Sequence, residues 1–478
     1  MTKHSTIKAD LCVIGAGSGG LSVAAGAVQL GLKTVLIERG EMGGDCLNTG
    51  CVPSKALLAA AKRAAAHRKA NIKGVAPHEP EIDFSAVKDH VFDTIKTIAP
   101  NDSQERFEGL GVTVLRESAR FTGLATVVAG GRSVSARRFV IAAGSRSSVP
   151  PIPGLDEAKV LTNETIFGLR QKPDHLLIIG GGPIGIEMAQ AHARLGCRVS
   201  VLEKARILPR DDAENVDVVR NALERDGVAF FENTKIISVA HGPHGHAVNA
   251  ERDGKAVRIE GSHLLVAAGR KPNVEDLELG AARIAYDERG IRTDARLRTS
   301  NKRIFAVGDI AGGPQFTHAA GYHAGVVIRN ICFKLPAKVD YRALPWVTYC
   351  EPELAQVGLT EAVAREKYGD DIRTVTWPFS DNDRAIAEAE PEGRIRIVAR
   401  KDGALLGASV VGPHAGELIG LWALAISAKV KLSAITAMIA PYPTFSEISK
   451  HAAGAWFTPS LFSDRTRAII RILQTLPL

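Results

Sequence analysis

Long uninterrupted apolar runs are missing from this chain of 478 residues. The most apolar tract, 421–440, is broken by Lys429 and Lys431, and two ammonium groups inside it exclude a bilayer-spanning helix. No apolar signal core precedes the apolar segment that begins near Ala9, so the protein is expected in the cytoplasm. Cysteine is scarce. The six, at positions 12, 46, 51, 197, 332 and 350, do not make the disulfide framework of a secreted domain in a chain this size. Concentrated basic runs are absent as well: the net charge is +8, but the basic residues are scattered. That argues against a nucleic-acid partner and fits the attraction of anionic cofactors to a solvated surface. Aromatics make up only 5% of the chain against 46 glycines, a balance suited to α/β domains that bring backbone close to phosphate. The length suggests about three domains.

What is present concentrates at residues 43–55, Gly43-Gly44-Asp45-Cys46-Leu47-Asn48-Thr49-Gly50-Cys51-Val52-Pro53-Ser54-Lys55. Two cysteines stand five apart at the expected start of a helix over 55–70, and Pro53 suits a first helical turn. The positive end of the helix dipole favours a thiolate there. Two such cysteines close a small disulfide if the turn brings their Cα atoms within about 7 Å. Two other readings of the pair are buried cysteines and half of a zinc site. No second Cys/His pair at ligand spacing follows, and no metal site is expected.

This stretch follows a complete dinucleotide fingerprint. Residues 9–14 read as a buried strand, Gly15-x-Gly17-x-x-Gly20 as the glycine turn, 21–30 as a helix, and 33–37 as a second strand ending on Glu38. The glycines let a pyrophosphate reach the helix N-terminus, and the acid accepts from a ribose hydroxyl. The pattern recurs at Gly180-x-Gly182-x-x-Gly185, with strands over 176–179 and 199–202 and Glu203 as the acid. Two separated units imply two nucleotide cofactors or an internal repeat. Between them, 84–110 reads as one long amphipathic helix, 112–138 as short strands, 139–142 as a further strand, and Pro150, Pro151 and Pro153 as a stiff linker.

Together, the fingerprint, Glu38 and the cysteine stretch resemble the FAD-dependent pyridine nucleotide–disulfide oxidoreductases, a family that includes dihydrolipoamide dehydrogenase, glutathione reductase and mercuric reductase. The resemblance runs to about residue 458. It implies an α/β fold with two Rossmann-like dinucleotide-binding domains and a C-terminal α+β dimerisation domain. The expected division is an FAD-binding part at 1–150 with its return at 271–340, a nicotinamide-binding part at 151–270, a dimerisation domain at 341–458 and a tail at 459–478. FAD is expected at Gly15, Gly17, Gly20 and Glu38, and the nicotinamide at Gly180, Gly182, Gly185 and Glu203. Gly144, Gly269 and Asp309 complete the cofactor-binding set, with Asp309 on the ribityl hydroxyls. The resemblance further implies a redox disulfide between Cys46 and Cys51. Cys51 would lie against the flavin and Cys46 would attack the substrate, with Lys55 near the flavin and paired with Glu187. Tyr442 and Glu447 would enter from the partner subunit of a homodimer. His318 is expected to take no part in catalysis.

Glu203 favours NAD(H) over NADP(H), because a carboxylate there accepts from ribose hydroxyls and repels a 2′-phosphate; Lys204 and Arg206 stand close enough in sequence to soften that repulsion. Where dihydrolipoamide dehydrogenase and glutathione reductase carry a His, five residues before the Glu, this chain has Tyr442. A phenol, with an unperturbed pKa of about 10, shuttles protons poorly near neutral pH. Tyr at this place is similar to mercuric reductase, but no cysteine follows Cys350. The expected function is electron transfer between a nicotinamide, flavin and a small disulfide or dithiol. The alternatives are a mercuric-reductase-like enzyme for a soft metal or thiol adduct, and a partner-docked flavin electron carrier. In the tail, Ser463 is expected to cap a basic amphipathic helix over 464–474 that meets a membrane surface, a protein partner or its own dimer.

Overall fold

The apolar segments beside the two glycine fingerprints become central strands of parallel sheets in the computed structural model, which describes residues 6–69, 72–155, 160–243 and 245–477. Two compact units are present. One takes Met1–Ala64, Glu81–Lys204 and Phe231–Asp340; the other takes Ala65–Pro80, Ala205–Phe230 and Tyr341–Leu478.

In the first unit, strand Thr6–Ile14 pairs in parallel with Thr34–Ile37 on one side and Arg132–Ile141 on the other. Thr113–Leu115 extends the sheet beyond Thr34–Ile37, while the antiparallel strands Thr126–Ala129 and Ala119–Gly123 extend it beyond Arg132–Ile141. Ile304–Ala306 also joins Arg132–Ile141 in parallel. All four residues of Thr34–Ile37 are buried, as they must be in a sheet covered on both faces. Val13, Leu36 and Val140 pack on one face with residues of helices Ser18–Gln29 and Thr317–Ile331, and Cys12, Ile14 and Phe139 face a second cluster. Strand order reverses between Thr6–Ile14 and Arg132–Ile141. The crevice at the carboxyl ends of such strands is where this architecture receives ligands. Gly15, Ala142 and Val307 all follow strands that end there.

A second parallel set, Arg198–Leu202, His175–Ile179 and His263–Val266, lies in the same unit with helix Pro183–Arg194 after its glycine turn. An antiparallel sheet of Thr234–Gly242, Gly245–Arg252 and Lys255–Gly261 accompanies it.

Some expected elements differ. The single helix over 84–110 is three pieces: helix Phe84–Ile98, a 3-10 turn Ala99–Asp102, and helix Gln104–Gly109. Pro100 has no N–H to continue the ladder. Ser103 then starts the next helix by accepting from the Arg106 N–H at 3.2 Å. The strand expected at 139–142 is the end of one ten-residue strand, Arg132–Ile141, because its pairing with Thr6–Ile14 carries on through Arg138. The redox helix starts earlier than expected, at Cys51, and runs to Arg68; Ala70 lies outside the described residues.

The second unit holds an antiparallel sheet in the order Pro345–Thr348, Glu353–Gly358, Leu405–Gly412, Arg394–Arg400, Ile372–Pro378. Helices Ala415–Ser427 and Glu447–Leu461 pack on it. Trp422 sits fully buried in that core, and its indole N–H donates to Ser449 Oγ at 3.1 Å.

Candidate active site

The glycine turn after Thr6–Ile14 is fixed by contact, not by composition. A Cβ on Gly20 would stand 1.8 Å from the Gly15 carbonyl oxygen, and one on Gly15, whose φ is +104°, would stand 2.4 Å from that of Ala142. Helix Ser18–Gln29 begins on Gly17 with no side-chain cap, so its first-turn N–H groups stay available to an anion. Glu38 accepts from the Ala16 N–H at 2.5 Å and from the Gly40 N–H at 2.7 Å. The second fingerprint repeats this arrangement: a Gly185 Cβ would lie 2.0 Å from the Gly180 oxygen, helix Pro183–Arg194 lacks a side-chain cap, and Glu203 accepts from the Gly181 N–H at 2.7 Å. Both cradles fit a dinucleotide: backbone free of side chains, uncapped N–H groups and an acid at the neighbouring strand end.

The cysteine stretch docks onto the first cradle. The Gly43 N–H donates to the Ala16 carbonyl at 2.9 Å, and a Cβ on Gly44, at φ +60°, would come within 2.8 Å of the Gly17 Cα. Cys46 lies on the short helix Gly44–Asn48, and Cys51 opens the helix Cys51–Arg68. The two side chains hydrogen-bond to one another, and both thiols are free. The bond polarises them. Cys51 is pulled down to about 6, first by the Cys46 thiol and then by the Thr317 hydroxyl and the Lys55 ammonium, against the opposing effect of burial. Cys46 is pushed up, first by that same bond and then by burial. Thr317 Oγ1 lies 3.4 Å from Cys51 Sγ. Lys55 Nζ donates to Glu187 Oε2 at 2.8 Å, and the Glu187 side chain is only 7% exposed.

Asp309 follows strand Ile304–Ala306 and accepts from the Ser145 hydroxyl. Burial, its first cause, raises its pKa. Gly144, at φ +64°, has open space where a side chain would go, and so does Gly269. The guanidinium of Arg270, next to Gly269, lies 2.9 Å from Asp45 and 3.6 Å from Asp309 and donates to Ser145 Oγ at 2.7 Å. Asp45 also accepts from Thr49 Oγ1 at 2.7 Å and Asn163 Nδ2 at 2.8 Å. A carboxylate beside Cys46 is thereby neutralised and locked. His323, buried, accepts the Gly308 N–H on Nδ1 at 3.1 Å and so orients the turn that carries Asp309; burial holds its pKa down at about 4 and keeps it neutral. His318 stacks on Phe316.

In the second unit, the Tyr442 hydroxyl donates to Asp383 Oδ2 at 2.9 Å. That bond, with the Asp383 charge, raises the phenol's pKa. Glu447 accepts from the Thr444 N–H at 3.3 Å.

Comparison with known proteins decides the class. Residues 9–324 match the pyridine nucleotide-disulphide oxidoreductase family, and residues 344–453 match its dimerisation domain. The chain belongs to that family. It is 37% identical over 455 residues to a dihydrolipoyl dehydrogenase of Thermus scotoductus, covering 93% of this chain and 97% of that one. It is 34% identical to a mercuric reductase of Streptomyces lividans, over 93% and 95%. The solved Cu(II) complex of the HOCl-induced flavoprotein disulfide reductase RclA of Escherichia coli superposes with a TM-score of 0.83 at 26% identity, covering 92% of this chain and 99% of that one. The protein is a flavin-dependent disulfide oxidoreductase with pyridine nucleotide use.

Sequence reasoning missed Asn163, Arg270, Thr317 and His323 as site residues. Arg270 and Thr317 lie in stretches the motifs had flagged. Asn163 and His323 carry no local pattern, because only the fold brings them to the turn.

Two outcomes follow from this geometry. In the reduced protein, alkylation of Cys51 by iodoacetamide rises with pH through about 6, where its thiolate forms, while Cys46 modification trails it to higher pH; equal profiles for the two thiols contradict the polarised pair. Arg270→Gln leaves Asp45 and Asp309 without their cation and costs about 1–2 kcal/mol in urea unfolding, the low end for such pairs because Asp45 keeps solvent contact. Asp45→Asn in the same chain recovers part of that loss, whereas strict additivity of the two changes shows the residues are not coupled.

Proposed function

We propose that this chain is a cytoplasmic homodimer that exchanges electrons between NAD(H) and a small disulfide or dithiol in the manner of a dihydrolipoamide dehydrogenase. The polarised thiol pair carries this reading. Bound FAD supplies the two-electron link between the nicotinamide and the cysteines. Gly15, Gly17, Gly20, Glu38, Gly144 and Asp309 hold it, and Gly180, Gly182, Gly185, Glu203 and Gly269 serve the nicotinamide side. On this reading, 1–150 and 271–340 form the FAD-binding part, 151–270 the nicotinamide part and 341–458 the dimerisation domain.

The sulfur chemistry then runs on this chain's own groups. Cys46, once deprotonated, attacks one sulfur of the substrate disulfide, forming a mixed disulfide and expelling the first substrate thiolate. The Cys51 thiolate attacks Cys46 Sγ, closes the Cys46–Cys51 disulfide and releases the second. Two electrons have then passed from the cysteine pair to the substrate. Lys55, anchored by the buried Glu187 carboxylate, keeps a positive charge near the Cys51 thiolate. Glu203 selects NAD(H) by accepting from ribose hydroxyls.

Tyr442 supports a second reading. Its phenol has a raised pKa and donates to Asp383, so near neutral pH it is a hydrogen-bond donor and not a base. That suits assistance at a thiol-bound soft metal better than proton shuttling to a dithiol. NADH oxidation driven by lipoamide, and lost in Cys46→Ser, is the outcome expected of the first reading. Turnover with a mercuric thiolate adduct and with no disulfide moves the assignment to the second.

Tyr442 and Glu447 are proposed to act on the cysteines of the opposite subunit. Mixing inactive Cys46→Ser dimers with a Tyr442→Phe/Glu447→Gln variant restores activity through hybrid dimers. No recovery under proven subunit exchange removes the shared site.

A further inference from the structure

Beyond residue 453, where the match to the dimerisation domain ends, the chain builds one more helix. Asp464–Leu473 starts on Ser463, whose Oγ accepts the Thr466 N–H at 3.2 Å, and Thr466 Oγ1 in turn donates to the Ser460 carbonyl at 2.8 Å. The first bond caps the helix's own first turn, and the second ties that turn to the end of helix Glu447–Leu461. It is a fixed appendage and not a loose end.

None of its residues is buried. At helical spacing, Ile469, Ile470, Ile472 and Leu473 share one broad side, with Arg465 among them between Ile472 and Ile469, and Arg467, Arg471, Asp464 and Gln474 share the other. Ile472 is 64% exposed, and Leu461, Phe462 and Leu476, which flank the helix in sequence, are exposed as well. A helix of this length is marginal in water by itself, so such a face calls for an apolar counterpart. Charge says which. Three arginines stand against one acid in the helix, and among the described residues only Arg467 has a carboxylate within ion-pair distance, Asp464 at 3.5 Å. The whole chain carries a net charge of +8. A second copy meeting it through the apolar side would leave Arg465 and Arg471 without a counter-charge. A bilayer surface rich in acidic phospholipid offers acyl chains to the isoleucines and phosphates to the arginines in one layer. No helix among the described residues is long and apolar enough to cross a membrane, so the contact lies in the plane of the surface.

We infer that Asp464–Leu473, with Leu461 and Phe462, is a membrane-surface anchor that docks the enzyme on anionic lipid. The inference does not depend on which substrate the cysteine pair serves. One short helix holds weakly, and two on a dimer act together.

The test is co-sedimentation of the FAD-loaded, full-length protein with vesicles of phosphatidylcholine alone and of phosphatidylcholine with phosphatidylglycerol. Binding is expected to the anionic vesicles only, to weaken with salt, and to be lost in a chain ending at residue 462 and in Ile469→Asn/Leu473→Asn. Loss in Arg465→Gln/Arg471→Gln, with the apolar face intact, separates anionic attraction from general stickiness. NADH turnover with a soluble acceptor stays unchanged in all these variants. The proposal is overturned if the anionic vesicles do not bind the protein, or bind the truncated chain equally well. It is also overturned if truncation turns a dimer into a monomer by light scattering with no vesicle binding in either form, since the helix then belongs to a second copy.

Discussion

The close approach of two backbone turns is the constraint on which the site rests. Gly17 begins the helix of the first cradle, and Gly43 and Gly44 begin the short helix of Cys46. They meet with no side chain between them, joined by the Gly43 N–H to the Ala16 carbonyl. Whatever occupies the cradle is thereby held next to the thiols. The cost is paid in glycine: a single methyl group at Gly44 would drive into Gly17 and pull the cysteines from the place where a dinucleotide enters. Both turns sit at the carboxyl ends of the parallel strands, where strand order reverses, so the sheet orients the pair and the glycines set its distance.

Charge placement around this junction follows a consistent logic. Three carboxylates, Asp45, Asp309 and Glu187, lie near a site that must also accept an anionic cofactor. Each has a cation: Arg270 serves Asp45 and Asp309, and Lys55 serves Glu187. Lys55 also lowers the Cys51 thiol, so one ammonium both satisfies a buried acid and stabilises a thiolate. The asymmetry of the two sulfurs comes mainly from their mutual hydrogen bond. It is what lets one cysteine keep a proton while the other stays charged.

Much of this was legible in the sequence, for a reason particular to each part. The glycine turns were readable because backbone contact forbids side chains at fixed spacing, and the flanking strands because burial on both faces makes them uniformly apolar. The cysteine stretch was readable because its functional groups are local. The long helix over 84–110 was misjudged because apolar periodicity outweighed Pro100 and Ser103, which break it. Asn163, Arg270 and His323 were out of reach for another reason. Their partners lie 118, 125 and 15 residues away in sequence, and a hydrogen bond between separate segments leaves no periodic trace. Tyr442 was legible as a departure, but its bond to Asp383, which makes it a donor, required the fold.

On the proposed reading, the Cys46–Cys51 pair exchanges electrons with bound flavin while Cys51 carries the charge. Anaerobic titration of the FAD-loaded protein with NADH, followed by the flavin spectrum, reads both properties at once. A long-wavelength charge-transfer band is expected, complete after two electrons and disappearing as the pH falls through about 6, where the Cys51 thiolate takes up a proton. Direct bleaching of the flavin with no such band at any pH would contradict that reading.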